Sequence, residues 1–296
     1  MNSKTLKTLA LTAAAAALMM AAGAAIAQPP AAPAAAPAAP PAPPPALMPI
    51  SPVLDAYNKA GPNKTVHAAE GPDCTVYRPE TLAARTPIVL WSNGRGQTPD
   101  KYGTMLDQLA SQGIVVAAAN SGNAGAGVEV LACLDYLTTQ NTTAGSAYMG
   151  KLDLTRVGAA GHSQGGGGTI MAGKDARIKT TAPIMPYTAA GLGFVSGAQA
   201  EQKGPMLLIS GGADRTAPPA THQKPVFDSA NVQVFWGTIA NAVHALPATG
   251  DSGEVRPLVI AWMRAQLLGD RTAAALFNGP TCGLCSVPEL AIQRKN

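Results

Sequence analysis

The sequence predicts an α/β fold, with a mostly parallel, twisted sheet and helices on both of its faces. Short apolar runs bounded by turn residues alternate with segments of helical periodicity, as repeated strand-helix units require. The predicted strands cover residues 88–91, 114–118, 156–160, 182–185, 206–210 and 232–236. The predicted helices cover about 100–112, 129–139 and 254–268, with another after the strand at 156–160. Asp100 is expected to cap the first of these helices and Gly113 to end it.

Composition divides the chain into three segments. The first 27 residues have a positive start, an apolar run and a small-x-small site at 25–27, which is typical of an export signal. Residues 28–48 are almost entirely alanine and proline, so we expect a stiff, extended linker. Residues 49–296 are long enough for one large α/β domain. We therefore expect an exported protein, either periplasmic or secreted.

Charge and hydropathy exclude two classes of partner. The net charge of the 296-residue chain is only +4, aromatic residues make up 4%, and basic residues are scattered, which argues against nucleic-acid binding. After the signal, no segment has the ~20 apolar residues of a membrane-spanning helix. The sequence leaves the oligomeric state open.

Four cysteines are present in a chain expected to be exported, which favours disulfides over metal ligation or redox chemistry. Sequence alone permits three pairings. We expect one bridge between Cys74 and Cys133 and a second within the close pair Cys282 and Cys285. No second cysteine pair or spaced histidine pair completes a zinc site.

The motif Gly161-His162-Ser163-Gln164-Gly165 directly follows the predicted strand at 156–160. A serine in a sharp strand-to-helix turn adopts a strained backbone that points its Oγ outward, and the flanking glycines give the turn room. The helix behind it directs free N–H groups at the serine. Ser163 is therefore the predicted nucleophile.

A serine nucleophile needs a base, and the chain has four histidines. His67 precedes the serine, and His162 is its neighbour and is expected to point away from it. His222 lies near the start of a predicted helix, whereas His244 follows the strand at 232–236, where a base should emerge. We predict His244 as the base and a surface or structural role for His222.

The acid that orients the base is predicted to be Asp214, which directly follows the strand at 206–210. Catalytic groups in such sheets gather at the carboxyl ends of the strands. Three other aspartates lack that placement and are interpreted as solvated carboxylates: Asp175, Asp228 and Asp251.

An oxyanion intermediate needs two N–H donors. The first should be the main-chain amide of Gln164, directly after the nucleophile. The second should come from the loop after the strand at 88–91, and Arg95 is the predicted donor. Because both donors are main-chain groups, the side chains at 95 and 164 are free to shape specificity.

From about residue 85 to 280, the chain resembles the bacterial cutinase and polyester hydrolase family, which includes poly(ethylene terephthalate) hydrolases. The segments that carry the resemblance are residues 161–169, 214–225, 260–263 and 269–272. The resemblance implies an α/β-hydrolase fold, a Ser163, Asp214 and His244 triad, an acyl-serine intermediate and no metal or organic cofactor. It also implies hydrolysis of esters, in a polymer or a small acyl substrate.

Gln164, in the nucleophile segment, stands where the family usually has methionine, and two further departures fall in the expected substrate cleft. Arg95 stands where the family usually has an aromatic residue, and Tyr187 where a tryptophan often flanks the cleft. Arg95 and Tyr187 are therefore the predicted substrate-binding residues. A guanidinium favours an anionic chain over an aromatic polyester, and the poly(aspartic acid) hydrolases have a similar fold.

Three alternatives remain open from the sequence: a polyester or cutinase-like esterase, a poly(aspartic acid) hydrolase that cleaves amide bonds, and a non-catalytic cell-surface binding module. In the last case Ser163 would be only a turn residue in a glycine-rich chain.

Overall fold

The computed structural model describes residues 52–295, which form one nine-stranded sheet in the order β1-β2-β4-β3-β5-β6-β7-β8-β9. The strands are β1 (Thr65–Glu70), β2 (Cys74–Pro79), β3 (Thr86–Ser92), β4 (Val115–Ala119), β5 (Leu152–His162), β6 (Ile178–Ile184), β7 (Met206–Gly211), β8 (Val234–Ile239) and β9 (Leu290–Lys295). The signal and linker predicted for residues 1–48 lie outside the described residues.

Six α-helices in the described part of the chain cover the two faces of this sheet. They are α1 (Gly103–Ser111), α2 (Val128–Gln140), α3 (Gln164–Ala172), α4 (Pro219–Ser229), α5 (Val255–Met263) and α6 (Arg271–Phe277). Side chains of each central strand alternate between the two layers. Val89 and Trp91 of β3 pack in the core shared with α1, α5 and α6, whereas Ile88 and Leu90 pack against α2. The predicted α/β architecture is confirmed.

The centre and the edges of the sheet differ in direction. Strands β3 to β8 are parallel, while β1, β2 and β9 run antiparallel at the edges. Every residue of β3 and β4 is buried, whereas the residues of β1 are exposed or half-buried and β9 has one buried residue. The six predicted strands are all present, with residues 114, 185 and 232–233 just outside their strands. The three antiparallel strands had no prediction.

The prediction that Asp100 caps a helix is wrong. Asp100 lies inside a short 3-10 turn, Pro99–Tyr102, and α1 begins after it with Tyr102 at the cap position. Pro99 fixes the chain into the turn early, and the Asp100 carboxylate accepts a hydrogen bond from the Thr98 hydroxyl. The predicted helix at 254–268 is α5 followed by a π-helical turn, Arg264–Leu268, which ends at Gly269 with φ 69°.

Both expected cysteine pairings are present in the structure. Cys74 in β2 is bonded to Cys133 in α2, and Cys282 is bonded to Cys285 after α6. Within residues 52–295, no helix has the length and apolar character needed to cross a bilayer.

Candidate active site

Ser163 lies between the last residue of β5 and the first residue of α3, with φ 57° and ψ −119°. This is a conformation that residues with a Cβ rarely adopt, and it must be held by the surrounding structure. Three hydrogen bonds hold it here: the Ser163 N–H donates to the Ile184 carbonyl (3.0 Å), and the Ser163 carbonyl accepts from Gly167 (3.1 Å) and Tyr187 (2.9 Å). The predicted strand-serine-helix turn is therefore formed.

The glycines on either side of the serine are required by close packing. A Cβ at Gly165 would lie 2.2 Å from the Ser92 carbonyl oxygen, and one at Gly161 would lie 2.6 Å from the Gly165 carbonyl oxygen. Contacts this short do not occur for real Cβ atoms, so a larger residue would push α3 away from β3. The turn thus depends on the glycine spacing as well as on the serine.

The loops after β7 and β8 bring an aspartate and a histidine to this turn. His244 Nε2 lies 2.8 Å from Ser163 Oγ, and His244 Nδ1 lies 2.7 Å from Asp214 Oδ2. The strands β5, β7 and β8 are parallel, so their carboxyl ends share one edge of the sheet. Three side chains that are distant in sequence are therefore within hydrogen-bonding range.

The direction of these hydrogen bonds follows from the charge on Asp214. The other oxygen of its carboxylate, Oδ1, accepts from the N–H groups of Thr216 and Ala217, both at 2.8 Å. Burial would raise the pKa of Asp214, but the hydrogen bonds from His244 and from these amides outweigh it and hold the pKa below its ordinary value. An ionised Asp214 only accepts, so His244 Nδ1 donates to it and Nε2 is free to accept from the serine hydroxyl.

The loop after β3 is anchored beside the serine turn. The buried Asn93 side chain donates to the Ala119 carbonyl at 2.5 Å, and the Gly96 N–H donates to the Gly122 carbonyl at 2.7 Å. The Arg95 N–H between them has no acceptor among the described residues. Gln164 is the first residue of α3, where helix geometry supplies no acceptor for its N–H. Both predicted oxyanion donors thus have unused N–H groups.

The side chains at 95 and 164 differ in their surroundings. Arg95 is exposed and forms no hydrogen bond or ion pair with any residue in the 52–295 range. Gln164 is buried and donates to Asn123 Oδ1 (2.5 Å) and to the Leu192 carbonyl (3.1 Å), which joins the loops after β4 and β6. Only Arg95 is therefore available to contact a molecule in solution through its side chain.

Tyr187 is half-buried in the loop after β6 and stacks on His222, with ring centroids 4.6 Å apart. His222 is only 9% exposed, so the surface role predicted for it is wrong and the structural alternative fits. Its Nδ1 accepts from the Thr188 N–H at 3.0 Å, and burial lowers the pKa of His222. The helix α4 turns this histidine inward, against the loop that carries Tyr187.

Two residues near the site had no functional prediction. His162, expected to point away, is buried, and its Nε2 lies 2.8 Å from the carbonyl oxygen of His244. Its Nδ1 lies 3.0 Å from the hydroxyl of Tyr102, which is fully buried beneath the loop after β3. Strand alternation could have placed His162 in the core, but only the tertiary structure shows which groups it meets there.

The described residues contain no group of three or more His, Cys, Asp and Glu side chains arranged to hold a metal ion. The groups that meet at the serine turn are a hydroxyl, an imidazole, a carboxylate and main-chain amides.

The sheet order and the serine turn define the class of this protein as the α/β-hydrolase fold. A family model described as PET hydrolase-like matches residues 59–285, and the chain belongs to this family of hydrolases.

Among the relatives that the chain matches is the bis(hydroxyethyl) terephthalate hydrolase of Streptomyces coelicolor, 29% identical over 189 residues. That match covers 61% of this chain and 55% of the Streptomyces protein, so the chain spans about half of that relative's length. Cutinase est1 of Thermobifida alba is 26% identical over 221 residues, 72% of this chain and 71% of that cutinase. Cutinase cut1 of Thermobifida fusca is 25% identical over 219 residues, 71% of this chain and 65% of that cutinase.

Proposed function

We propose that this protein is a serine hydrolase that cleaves carboxylic esters through an acyl-serine intermediate. The observation that carries the proposal is the continuous contact from Asp214 through His244 to Ser163, at 2.7 and 2.8 Å. Membership of a hydrolase family supports it, as do the names of relatives that act on a terephthalate ester or on cutin.

The proposed reaction begins when Ser163 Oγ attacks the ester carbon and His244 Nε2 takes the hydroxyl proton. The main-chain N–H groups of Arg95 and Gln164 stabilise the negative oxygen of the tetrahedral intermediate. His244 returns the proton to the leaving alcohol, and the acyl group stays on Ser163. A water then loses a proton to the same imidazole and attacks the acyl carbon. The bond from the acyl carbon to Ser163 Oγ breaks, and His244 returns that proton to Oγ, which releases the acid and restores the serine. Asp214 keeps the imidazole in the required tautomer throughout.

Ser163→Ala tests this proposal in the purified protein. We expect turnover of p-nitrophenyl acyl esters to fall by at least about 10⁴-fold and labelling by a fluorophosphonate to disappear, because Ser163 is the serine that is hydrogen-bonded to His244 in the described part of the chain. Ser286→Ala, at an exposed position after α6, is the matched control and should behave as wild type. Ester turnover and labelling that survive in Ser163→Ala would overturn the proposal.

The same label separates the enzyme from the non-catalytic alternative. In a cell-surface binding module, Ser163 would be an unactivated turn residue, and the wild-type protein would not react with the fluorophosphonate. An activated serine reacts because its base is already in contact with it.

A second candidate function rests on Arg95. Its exposed guanidinium, without an ion-pair partner among residues 52–295, stands beside the proposed oxyanion donor and would attract a carboxylate-rich chain. Poly(aspartic acid) hydrolysis at amide bonds is therefore the alternative to a neutral polyester. Both polymers should be assayed with wild type and with Arg95→Tyr. Loss of a polyanion preference in that variant would support the alternative, and an unchanged preference would count against it.

We also propose that the protein is exported and then acts in the periplasm or the medium. Two disulfides support this, since such bridges persist in oxidising compartments. The N-terminal sequence of protein recovered from each fraction tests it. Cleavage after Ala27 is expected, and an uncleaved chain confined to the cytoplasm would contradict it.

A further inference from the structure

A chain of buried hydrogen bonds runs beneath the candidate site and joins the loops after β3 and β8. The Gly94 N–H lies 3.1 Å from the Tyr102 hydroxyl oxygen, which lies 3.0 Å from His162 Nδ1. His162 Nε2 lies 2.8 Å from the main-chain oxygen of His244. One end of the chain is thus the residue before Arg95, and the other end is the proposed base.

The direction of every bond in this chain is fixed by the group at its end. A carbonyl oxygen only accepts, so His162 Nε2 must carry a proton to donate to His244. A neutral imidazole then has a lone pair on Nδ1, which accepts from the Tyr102 hydroxyl. The phenol oxygen in turn accepts from the Gly94 N–H. Each polar atom of the two buried rings therefore has a partner, as a buried network requires.

The neutral state of His162 is consistent with its surroundings. Burial, together with the neighbouring imidazole of His244, lowers the pKa of His162 to about 3, so the ring stays uncharged near neutral pH. Only the neutral ring has both the donor and the acceptor that the chain of hydrogen bonds uses.

The packing around Gly94 ties the loop to both rings. A Cβ at Gly94 would lie 3.0 Å from the Tyr102 hydroxyl oxygen and 3.2 Å from His162 Nδ1. The backbone before Arg95 therefore rests directly on the two polar atoms at the centre of the chain. Tyr102 is itself fixed by the Trp91 ring, with centroids 4.8 Å apart. The position of the loop after β3 is therefore fixed by the contact of Gly94 with Tyr102 and His162.

We propose that His162 and Tyr102 are positioning residues that fix the imidazole of His244 relative to the main-chain N–H of Arg95. His162 acts through the main chain of His244, and Tyr102 acts through the main chain of Gly94, next to Arg95. Neither side chain contacts the reacting atoms. The inference rests on the proposed ester hydrolysis, in which the imidazole and the Arg95 amide must act on the same acyl group.

Tyr102→Phe tests the proposal because it removes one hydroxyl and keeps the buried ring. It leaves the Gly94 N–H without its acceptor and His162 Nδ1 without its donor. We expect kcat for p-nitrophenyl esters to fall about 10-fold, with KM unchanged within about 2-fold, since alignment is lost while ground-state binding is kept.

His162→Leu and His162→Gln test the other half of the chain. Leucine removes the donor to the His244 carbonyl, and kcat should fall about 100-fold. The side-chain amide of glutamine can place an N–H near the position of Nε2, so His162→Gln should be about 10-fold faster than His162→Leu. A glutamine variant no faster than the leucine variant would overturn the role of the His244 contact.

Tyr148→Phe is the matched control for a purely structural effect. Tyr148 is also buried, and its hydroxyl donates to the Glu70 carboxylate at 2.9 Å, in contact with neither loop of the candidate site. It should lower the midpoint of thermal unfolding and leave kcat unchanged. Where His162→Leu fails to fold, Tyr102→Phe decides the question.

The outcomes separate this inference from the proposed function. A wild-type protein that turns over no ester and does not react with a fluorophosphonate would overturn both. A reactive wild type with an unchanged kcat in Tyr102→Phe, or with equal losses in Tyr102→Phe and Tyr148→Phe, would overturn the positioning role alone.

Discussion

The two ends of β5 differ in whether their buried polar groups have hydrogen-bond partners. At the amino end, the Asp153 carboxylate binds the side chains of Arg85, Arg156 and Thr155 and the Thr155 N–H. Hydrogen bonds from Thr155, together with those from the two arginines, outweigh burial and hold the pKa of Asp153 far below its ordinary value. The charge there is neutralised by side chains that lie away from the serine turn, and Arg156 also donates to the Leu267 carbonyl at 3.0 Å.

At the carboxyl end, polar groups are left available or held in an unfavourable state. Ser163 has a strained backbone, His162 is kept uncharged, and the Gln164 Oε1 and Ser92 Oγ atoms are buried without a partner among the described residues. A positive φ is found near both ends of β5. Arg85, which binds Asp153 at the amino end, has φ 60°, and Ser163 at the carboxyl end has φ 57°. Backbone conformation alone therefore does not distinguish the two ends. The difference is that the charge at the amino end is fully paired, whereas the carboxyl end keeps strained and unpaired groups of the kind that the proposed active site requires.

The largest expected effect is on activity at the carboxyl end. Asp214→Asn should lower kcat for p-nitrophenyl esters by about 10⁴-fold, because an amide that donates to Nδ1 favours the wrong tautomer of His244. The free energy of unfolding should change far less than the activity. Asp228→Asn, in an exposed pair with Lys224 on α4, is the matched control and should keep full activity. A loss below about 10-fold in Asp214→Asn would mean that the carboxylate does not orient the base.

A substitution at the amino end of β5 should lower stability and leave activity unchanged. Asp153→Asn should lower the free energy of unfolding by about 2 kcal/mol, since several hydrogen bonds to a charged group are lost, and should leave kcat unchanged at 25 °C. Denaturant unfolding measures the first quantity and the ester assay the second. Asp175→Asn, which breaks a more exposed pair with Arg177, should cost less than about 1 kcal/mol. Equal losses of unfolding free energy in Asp153→Asn and Asp175→Asn would show that the Asp153 cluster stabilises the fold no more than an exposed ion pair does.

The uncharged state of His162 predicts a pH dependence of stability. Its pKa is about 3 in the folded protein against an ordinary 6.5, so between these values the unfolded chain binds a proton that the folded protein does not. Stability from this group is complete above pH 6.5 and is lost as the pH falls toward 3. The expected slope is about 1.4 kcal/mol per pH unit.

His162→Gln should remove that slope between about pH 6 and pH 4.5, measured by urea unfolding at each pH. His222→Gln should remove a smaller part, because the pKa of His222 is also lowered by burial but this ring is less enclosed. Parallel curves for wild type and His162→Gln would show that His162 does not carry the effect.

The smallest expected effect concerns strain at the serine. Ser163→Gly should be more stable than Ser163→Ala by about 1 kcal/mol, because only glycine adopts φ 57° without a penalty. Both variants lack the hydroxyl and its contact with His244, so the comparison isolates the backbone. Thermal unfolding of the two proteins measures the difference, and a less stable glycine variant would contradict stored strain.

Local patterns predicted the centre of the sheet but missed its edges. The fully buried strands β3 and β4 are continuous apolar runs that stand out in any sequence. In contrast, β1 is Thr-Val-His-Ala-Ala-Glu with no fully buried residue, and β9 has only one, Leu290. Edge strands of this kind are formed by pairing with a neighbour, and their own composition carries little signal.

The prediction of the helix cap at Asp100 failed for a related reason. An aspartate after a proline fits both a helix cap and a turn. Here Pro99 begins the turn, and the buried Tyr102 at its end packs against Trp91 before α1 begins. Tertiary packing overrides a local preference of this size.

By itself the sequence determined the parallel core, the glycine-flanked serine turn and the order in which serine, aspartate and histidine follow their strands. Those features depend on residues near one another in the chain or on the regular geometry of parallel strands. Only the tertiary structure decided that His162 meets the main chain of His244, that Tyr102 supports the loop before Arg95, and that Asp153 collects two arginines. The contacts from His162 to His244 and from Arg85 to Asp153 join segments far apart in sequence, and the Tyr102 hydroxyl reaches Gly94 across eight residues. These hydrogen bonds exist only after the apolar layers have packed and brought the groups together.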